Sequence, residues 1–169
     1  MKRITVEQLE DNFFSAISKE WMLVTAGNKD SFNTMTASWG CIGWLWNKPV
    51  AIAFVRPERF THEFVENGEC LTLSFLGDTP EARKIYNFCG SKSGRDYDKV
   101  KETGLKPVET ELGNVTFEQA RLTLECRKLY KDDIKASSFI DPSIANWYGE
   151  KQGGYHDMYI MEIVNVYIQ

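Results

Sequence analysis

Trp21-Met22-Leu23-Val24-Thr25-Ala26, then Gly27-Asn28-Lys29-Asp30, then Phe32-Asn33-Thr34-Met35-Thr36-Ala37-Ser38-Trp39. Two runs rich in β-branched and aromatic residues flank a cluster of turn formers, the pattern of two strands folded back on each other. Working outward, Pro49–Val55 and Leu71–Leu76 read as short apolar strands, and Val115–Leu129 as one long alternating strand. Met158–Ile168 closes the chain, with Tyr159, Met161 and Ile163 in alternation. Helical spacing of Leu9, Phe13, Ala16 and Ile17 predicts a helix over residues 6–19. Glu58–Asn67 and Thr79–Cys89 are further helices, the second with Thr79 as N-cap and Pro80 at its first position. Several strands with a few short helices and no strict βα alternation predict a mainly β protein, an antiparallel barrel with helical insertions. With no repeat or linker, residues 1–169 are expected to form one domain.

Composition narrows the classes. The net charge of −4, with no basic run among the aromatics, argues against a nucleic-acid surface. No apolar run approaches the ~20 residues of a membrane helix, and residues 1–10 do not resemble a signal peptide. Cys41, Cys70, Cys89 and Cys126 are irregularly spaced, without a C-x-x-C pair. Zinc and a disulfide framework are therefore not expected, and free thiols suit a reducing cytoplasm. The sequence lacks G-x-G-x-x-G, a P-loop and a G-x-S-x-G elbow, and its two histidines, His62 and His156, lack metal-ligand spacing. Chemistry that needs no protein nucleophile, such as cofactor redox chemistry, fits better.

Three segments carry a signal. In residues 32–40, small hydroxyl residues beside amide and indole groups let a flat ring approach the backbone; a Thr/Ser-rich strand with a polar outer face accounts for the same residues. In Val55-Arg56-Pro57-Glu58-Arg59-Phe60-Thr61-His62 a helix start is flanked by two arginines and a threonine, suited to an anion; a helix cap with solvated arginines is the plainer reading. In Cys89-Gly90-Ser91-Lys92-Ser93-Gly94-Arg95-Asp96-Tyr97-Asp98-Lys99, glycines, serines and cations form a loop able to fold around an oxyanion, or simply a polar loop.

Taken in order, N-x-M-T-A-S-W, R-P-x-R-x-T and G-x-x-S-G-R-D-x-D-K resemble the flavin reductase-like family of FMN-binding split barrels, its flavoredoxin branch in particular. The resemblance runs over residues 21–107 and resumes at 156–166. It implies a Greek-key split β-barrel, non-covalent FMN and a homodimer with the flavin near the subunit boundary. It places Asn33 and Trp39 next to the flavin ring, and Met35, Thr36, Ala37 and Ser38 on the strand along its edge. It puts Arg56, Thr61 and Lys99 toward the phosphate, with Cys89, Ser91, Ser93 and Gly94 in the loop closing over the cofactor. His156, just before the last strand, falls close to the ring. The function implied is hydride transfer from NAD(P)H to flavin N5, or else non-enzymatic electron shuttling between protein partners. The chain departs from the simplest members between Leu129 and His156, where an added stretch is expected to be a lid, a dimer arm or a surface loop.

Overall fold

The computed structural model describes residues 1–169. After a short strand β1 (Lys2–Ile4), the central hairpin is formed by β2 (Met22–Asn28) and β3 (Ser31–Ala37), paired without a break from Met22↔Ala37 to Asn28↔Ser31. Its turn is held by Asn28, whose Oδ1 accepts from the backbone N–H of Asp30 and Ser31 at 3.0 and 3.1 Å. Asn favours turns through this local bond. Strands β4 (Gly40–Leu45) and β5 (Lys48–Val55) form a second hairpin. Helix α1 (Phe13–Ser15) precedes β2, and α2 (Phe60–Asn67) follows β5. The rest of the chain is β6 (Cys70–Phe75), α3 (Pro80–Ser91), α4 (Lys99–Thr103), β7 (Pro107–Glu109), β8 (Val115–Phe117), β9 (Leu122–Asp133) and β10 (Asp157–Ile168).

One antiparallel sheet runs β3-β2-β6-β9-β10-β5-β4, and β1 joins β10 beyond the end of β5. Consecutive pairs (β3-β2, β9-β10, β5-β4) alternate with crossovers (β2-β6, β6-β9, β10-β5), as in a Greek key. The two ends of the path, β3 and β4, are linked through Ser38-Trp39 yet are not hydrogen-bonded, so the barrel is split there. Alternation drives Val24, Leu71, Leu73, Leu124 and Met161 into the interior, each such side chain contributing about 1.5–3 kcal/mol when fully buried. A second core lies outside the barrel under α3, around Leu23, Tyr86, Cys89 and Phe117. Thr79 caps α3 by accepting from Ala82 N–H at 3.2 Å, and the Tyr86 hydroxyl accepts from Leu76 N–H at 2.7 Å, fixing α3 to the end of β6.

Two expectations need correction, and one strand was not foreseen. The predicted helix 6–19 is three short pieces: a 3₁₀ turn (Val6–Gln8), α1, and a π turn (Ala16–Glu20). The Asn12 side chain accepts from Ser15 N–H and starts the second piece, while Leu9, Phe13, Ala16 and Ile17 still face the core. The predicted strand 115–129 is broken at residues 118–121 into β8 and β9, because Ala120 N–H bonds back to Phe117 and Glu118 N–H is taken by Lys106. Strand β4 carried no prediction. Its turn to β5 uses Trp46 and Asn47, both left-handed at φ 53° and 56°, the geometry of a tight β-hairpin turn. No helix is long and apolar enough to cross a membrane.

Candidate functional site

The split gathers four chain segments around a cleft of about 200 Å³. The C-terminal end of β3 and the step to β4 supply Met35, Thr36, Ala37, Ser38 and Trp39. The end of β5 supplies Phe54 and Arg56, the start of α2 supplies Arg59, and the residue before β10 is His156. The Trp39 and His156 ring centres lie 5.2 Å apart, and Phe54 meets the His156 ring edge-on at 6.3 Å. Seven of the residues expected from sequence therefore line one cleft. Phe54 was missed. Its signal was the alternation of β5, which turns Ala53 and Val55 inward and leaves Phe54 on the cleft face.

The other expected residues form a layer beside it. Asn33 Nδ2 donates to Thr61 Oγ1 at 2.7 Å, tying β3 to α2. Gly94 packs on Asn33 so closely that a Cβ there would collide with its side chain. The Thr36 hydroxyl donates to the Tyr86 carbonyl at 2.6 Å. Lys99 Nζ donates to the carbonyls of Thr34 and Cys89, at 2.7 and 3.0 Å, and is nearly shut off from solvent. Cys89 presents that carbonyl to the site, while its thiol is fully buried in the second core and pushed up to about 11 by burial. Ser91 and Ser93 stand apart from the cleft wall: one hydroxyl donates to the Asn87 carbonyl, the other accepts from Arg95 N–H.

The electrostatics are uneven. Arg59 donates to the carbonyls of Gly90 and Cys89, at 2.7 and 3.2 Å, so with Lys99 it covers the C-terminal carbonyls of α3, where cations are favoured. Neither cation meets a carboxylate. Burial brings Lys99 down to about 8, and burial, then repulsion from Arg56, lowers Arg59. Burial and then Arg56 bring His156 down to about 4, so its ring is neutral at pH 7.

Residues 134–155 form a strap over this end of the barrel. Trp147 sits edge-on to Trp39 at 5.6 Å, and the Tyr148 hydroxyl lies 3.3 Å from His156 Nδ1. Arg56 donates to the carbonyls of Gly154 and Trp147, and its guanidinium lies over the Tyr148 ring at 5.5 Å. Glu58 Oε1 accepts from Gly154 N–H at 2.6 Å. These contacts pack the strap against the cleft.

A second polar cluster lies on the far side of α2. His62, Glu66 and Asp157 bring ligand atoms within 4.8 Å of one another. The Lys131 ammonium already pairs with Glu66 and Asp157 at 2.8 and 2.9 Å, and His62 meets Asp157 at 2.7 Å. The cluster is an ion-pair network fastening α2 to β9 and β10.

The model of the flavin reductase like domain matches residues 14–169. This chain belongs to the flavin reductase-like family. Solved structures share the fold of this flavin reductase-like protein. An FMN-binding protein from Thermus thermophilus with bound p-hydroxybenzaldehyde is 20% identical, with a TM-score of 0.66 over 100% of this chain and 82% of the other. A flavoredoxin from Methanosarcina acetivorans is 18% identical, with a TM-score of 0.67 over 100% and 76%. Nitrilotriacetate monooxygenase component B from Bacillus cereus is 13% identical, with a TM-score of 0.66 over 99% and 81%. No curated protein sequence matches the chain.

Proposed function

We propose that this flavin reductase-like chain binds FMN non-covalently at the split and serves as an oxidoreductase taking hydride from NAD(P)H. The observation that carries the reading is the pair Lys99 and Arg59: Arg59 lines the ring-lined cleft and Lys99 is buried beside it on the shared Cys89 carbonyl, both with carbonyl partners but no carboxylate. Burying an ammonium without a counter-charge is costly. An anionic phosphate beside it offsets that cost, and Lys99 keeps one of its three N–H donors uncommitted for the purpose. The donor set therefore fits a flavin mononucleotide: an anion at the cation end, a flat ring along Met35–Ser38.

Bound there, FMN supplies the hydride-accepting and electron-donating chemistry. The chain's own residues bind and orient. Lys99 and Arg59 would donate to the phosphate, and Asn33, Thr61 and Gly94 pack in the layer behind that end. The small side chains of Ala37 and Ser38 let the ring lie close to the strand, and Trp39 flanks it. His156, neutral at pH 7, offers a ring nitrogen without placing a charge on the flavin. Alignment of donor and ring then does the catalytic work, with no general base needed.

The test is a visible spectrum of the purified protein, repeated after anaerobic NADH or NADPH. Yellow protein that bleaches supports the reading. Failure to quench FMN fluorescence on titration sinks it.

A second reading makes the protein a flavoredoxin-type electron carrier. The edge-on contact of Trp147 with Trp39 favours it, because it narrows the approach for a bulky dinucleotide. Reduction only by a protein donor distinguishes this case. We also propose a homodimer, since Trp44 and Trp46 of the β4–β5 hairpin are 68% and 54% exposed, and a cytoplasmic location, since all four cysteines are free.

A further inference from the structure

We propose that residues 134–155 are a gate over the flavin cleft, latched by Arg56 and Glu58 and carrying Trp147 as its gating side chain, whose opening decides whether a nicotinamide dinucleotide or only a small reductant reaches the flavin. The inference deepens the flavin reading and rests on it for the identity of what the cleft holds. The first observation is how little holds the strap down. None of residues 135–155 is buried, and no strap side chain belongs to either hydrophobic core or packs against one. Phe139 and Ile144 instead line a cavity of about 880 Å³ together with Ile17 and Ile42. A segment with no share in the core opens at a free energy well below that of global unfolding.

The second observation is that the strap is tied together as one piece. It leaves the sheet where β9 and β10 stop pairing, at Asp133↔Asp157, and Ile134 N–H closes its root by donating to the His156 carbonyl at 2.9 Å. Within the strap, Tyr148 meets both Phe139 and Tyr155, with ring centres 5.9 and 4.7 Å apart. Gly149 and Gly153 exchange backbone hydrogen bonds of 3.0 and 2.8 Å. Movement at the root therefore carries the rings of the strap together.

The third observation is where the strap is latched. Arg56 and Glu58 lie between β5 and α2, on the segment that also brings Arg59 to the cleft. Arg56 donates to the carbonyls of Trp147 and Gly154, and Glu58 accepts from Gly154 N–H. Such charge-assisted bonds are stronger than neutral ones. A Cβ at Gly153 would stand 2.6 Å from Arg56 Nη1, and one at Gly154 would stand 2.8 Å from Glu58 Oε1, so the latch depends on both glycines. Latched, Trp147 stands edge-on to Trp39, which lines the cleft beside His156. A nicotinamide must bring its reacting carbon to about 3–3.5 Å from the flavin, with the rest of the dinucleotide behind it. A small reductant needs no such stacking.

The test uses the full-length protein. Hydrogen exchange of the strap amides is followed by NMR in the apoprotein. In the FMN-loaded protein, stopped-flow absorbance follows anaerobic reduction by NADH or NADPH and, separately, by dithionite. The dinucleotide passes a hydride to the flavin, which takes one proton from water, and leaves as NAD(P)⁺. Dithionite supplies two electrons through its sulfur dioxide radical anion, which ends as sulfite, and water supplies both protons. In the wild type the strap amides are expected to open together while β9 and β10 stay protected. Gly153→Ala and Gly154→Ala, neither of which lines the cleft, are each expected to speed strap exchange by about tenfold and NAD(P)H reduction by the same factor, with dithionite reduction and FMN affinity within about twofold. Trp147→Ala is expected to speed NAD(P)H reduction and not dithionite reduction. A strap that exchanges only together with β9 and β10 overturns the proposal. So do glycine variants that leave strap exchange unchanged, faster strap exchange without faster NAD(P)H reduction, or equal acceleration of both reductants. Failure of the wild type to bind FMN, read from flavin fluorescence, sinks the cleft reading and with it the role of the gate, while strap opening is still read from the apoprotein.

Discussion

Lys99→Met separates a buried cation waiting for an anion from an ordinary helix cap. In the folded apoprotein burial brings Lys99 down to about 8, from an ordinary value of 10.5. Below pH 8 both folded and unfolded chains hold the proton, and stability has no slope from this group. Between pH 8 and 10.5 the unfolded chain holds a proton that the folded chain has released, so stability rises with pH. Each pH unit in that window adds about 1.4 kcal/mol, roughly 3 kcal/mol across it. The Cys89 and Cys126 thiols, kept protonated by burial, act in the opposite sense at alkaline pH. The wild-type-minus-variant difference is therefore the quantity to read. Urea melts of apoprotein, followed by tryptophan fluorescence between pH 7.5 and 9.5, are expected to show the wild type gaining on Lys99→Met as pH rises. FMN affinity moves the other way. Removing one charge-assisted hydrogen bond costs about 1.5–3 kcal/mol, a loss of roughly ten- to 150-fold at pH 7. The wild type itself weakens by up to about tenfold per pH unit above 8, because binding must then take up a proton. Parallel stability curves for the two proteins, or unchanged FMN affinity in Lys99→Met, refute the reasoning.

Glu125 is a fully buried carboxylate without a cation, accepting from Thr110, Leu112, Asn114, Asn165 and Tyr167. Glu125→Gln turns one acceptor into a donor facing donors and is expected to cost roughly 3–5 kcal/mol in urea melts at pH 7. Burial raises the Glu125 pKa, but its hydrogen bonds outweigh that and hold it below the usual value. This stability is present above the unfolded pKa and is lost as pH falls through the lower folded value, so the gap between the proteins narrows in acid. Gly153→Ala, at φ 97° and against Arg56, is expected to release the strap: the Trp147 indole signal shifts while global stability changes by less than about 1 kcal/mol. His156 is expected to titrate near 4 by NMR, so the unfolded chain binds more protons between about pH 4 and 6.5 and stability rises across that window; a midpoint near 6.5 contradicts its burial.

The hairpin β2–β3 was legible because alternation and the Asn28 turn agree, and α3 because Thr79-Pro80 marks its start. The stretch 115–129 misled because the Glu118–Arg121 turn buries Ala120 in step with the strands on either side, so its pattern never falters. Strand β4 was hidden by Gly40 and Gly43 and by a turn of Trp46 and Asn47, neither of them glycine. For the site, Met35–Trp39 could be read because one continuous strand end carries them. The docking of residues 134–155 could not, because it depends on two glycines meeting Arg56 and Glu58 far away in sequence. That contact also changes Arg56 from a free cation into one that already holds Gly154 and Trp147, which leaves Lys99 and Arg59 as the stronger phosphate donors.

Net charge is a poor guide to what this cleft attracts. The chain carries −4 overall, yet the charged groups lining the cleft are Arg56 and Arg59, with Lys99 buried beside them and Glu58 turned to the strap. At physiological ionic strength exposed charges act over about 8 Å, so distant carboxylates are screened while buried cations are not. Two expectations follow for FMN binding. Raising salt from about 0.05 to 0.5 M is expected to slow association only modestly, because the steering field of an acidic protein is weak. Dissociation is expected to change little, because the phosphate contacts are out of solvent. Riboflavin, which lacks the phosphate, is expected to bind at least about tenfold more weakly at both salt concentrations. Stopped-flow fluorescence with FMN and riboflavin checks this. An FMN dissociation rate that climbs steeply with salt places the phosphate on the exposed rim, and the assignment of Lys99 as its buried partner falls with it.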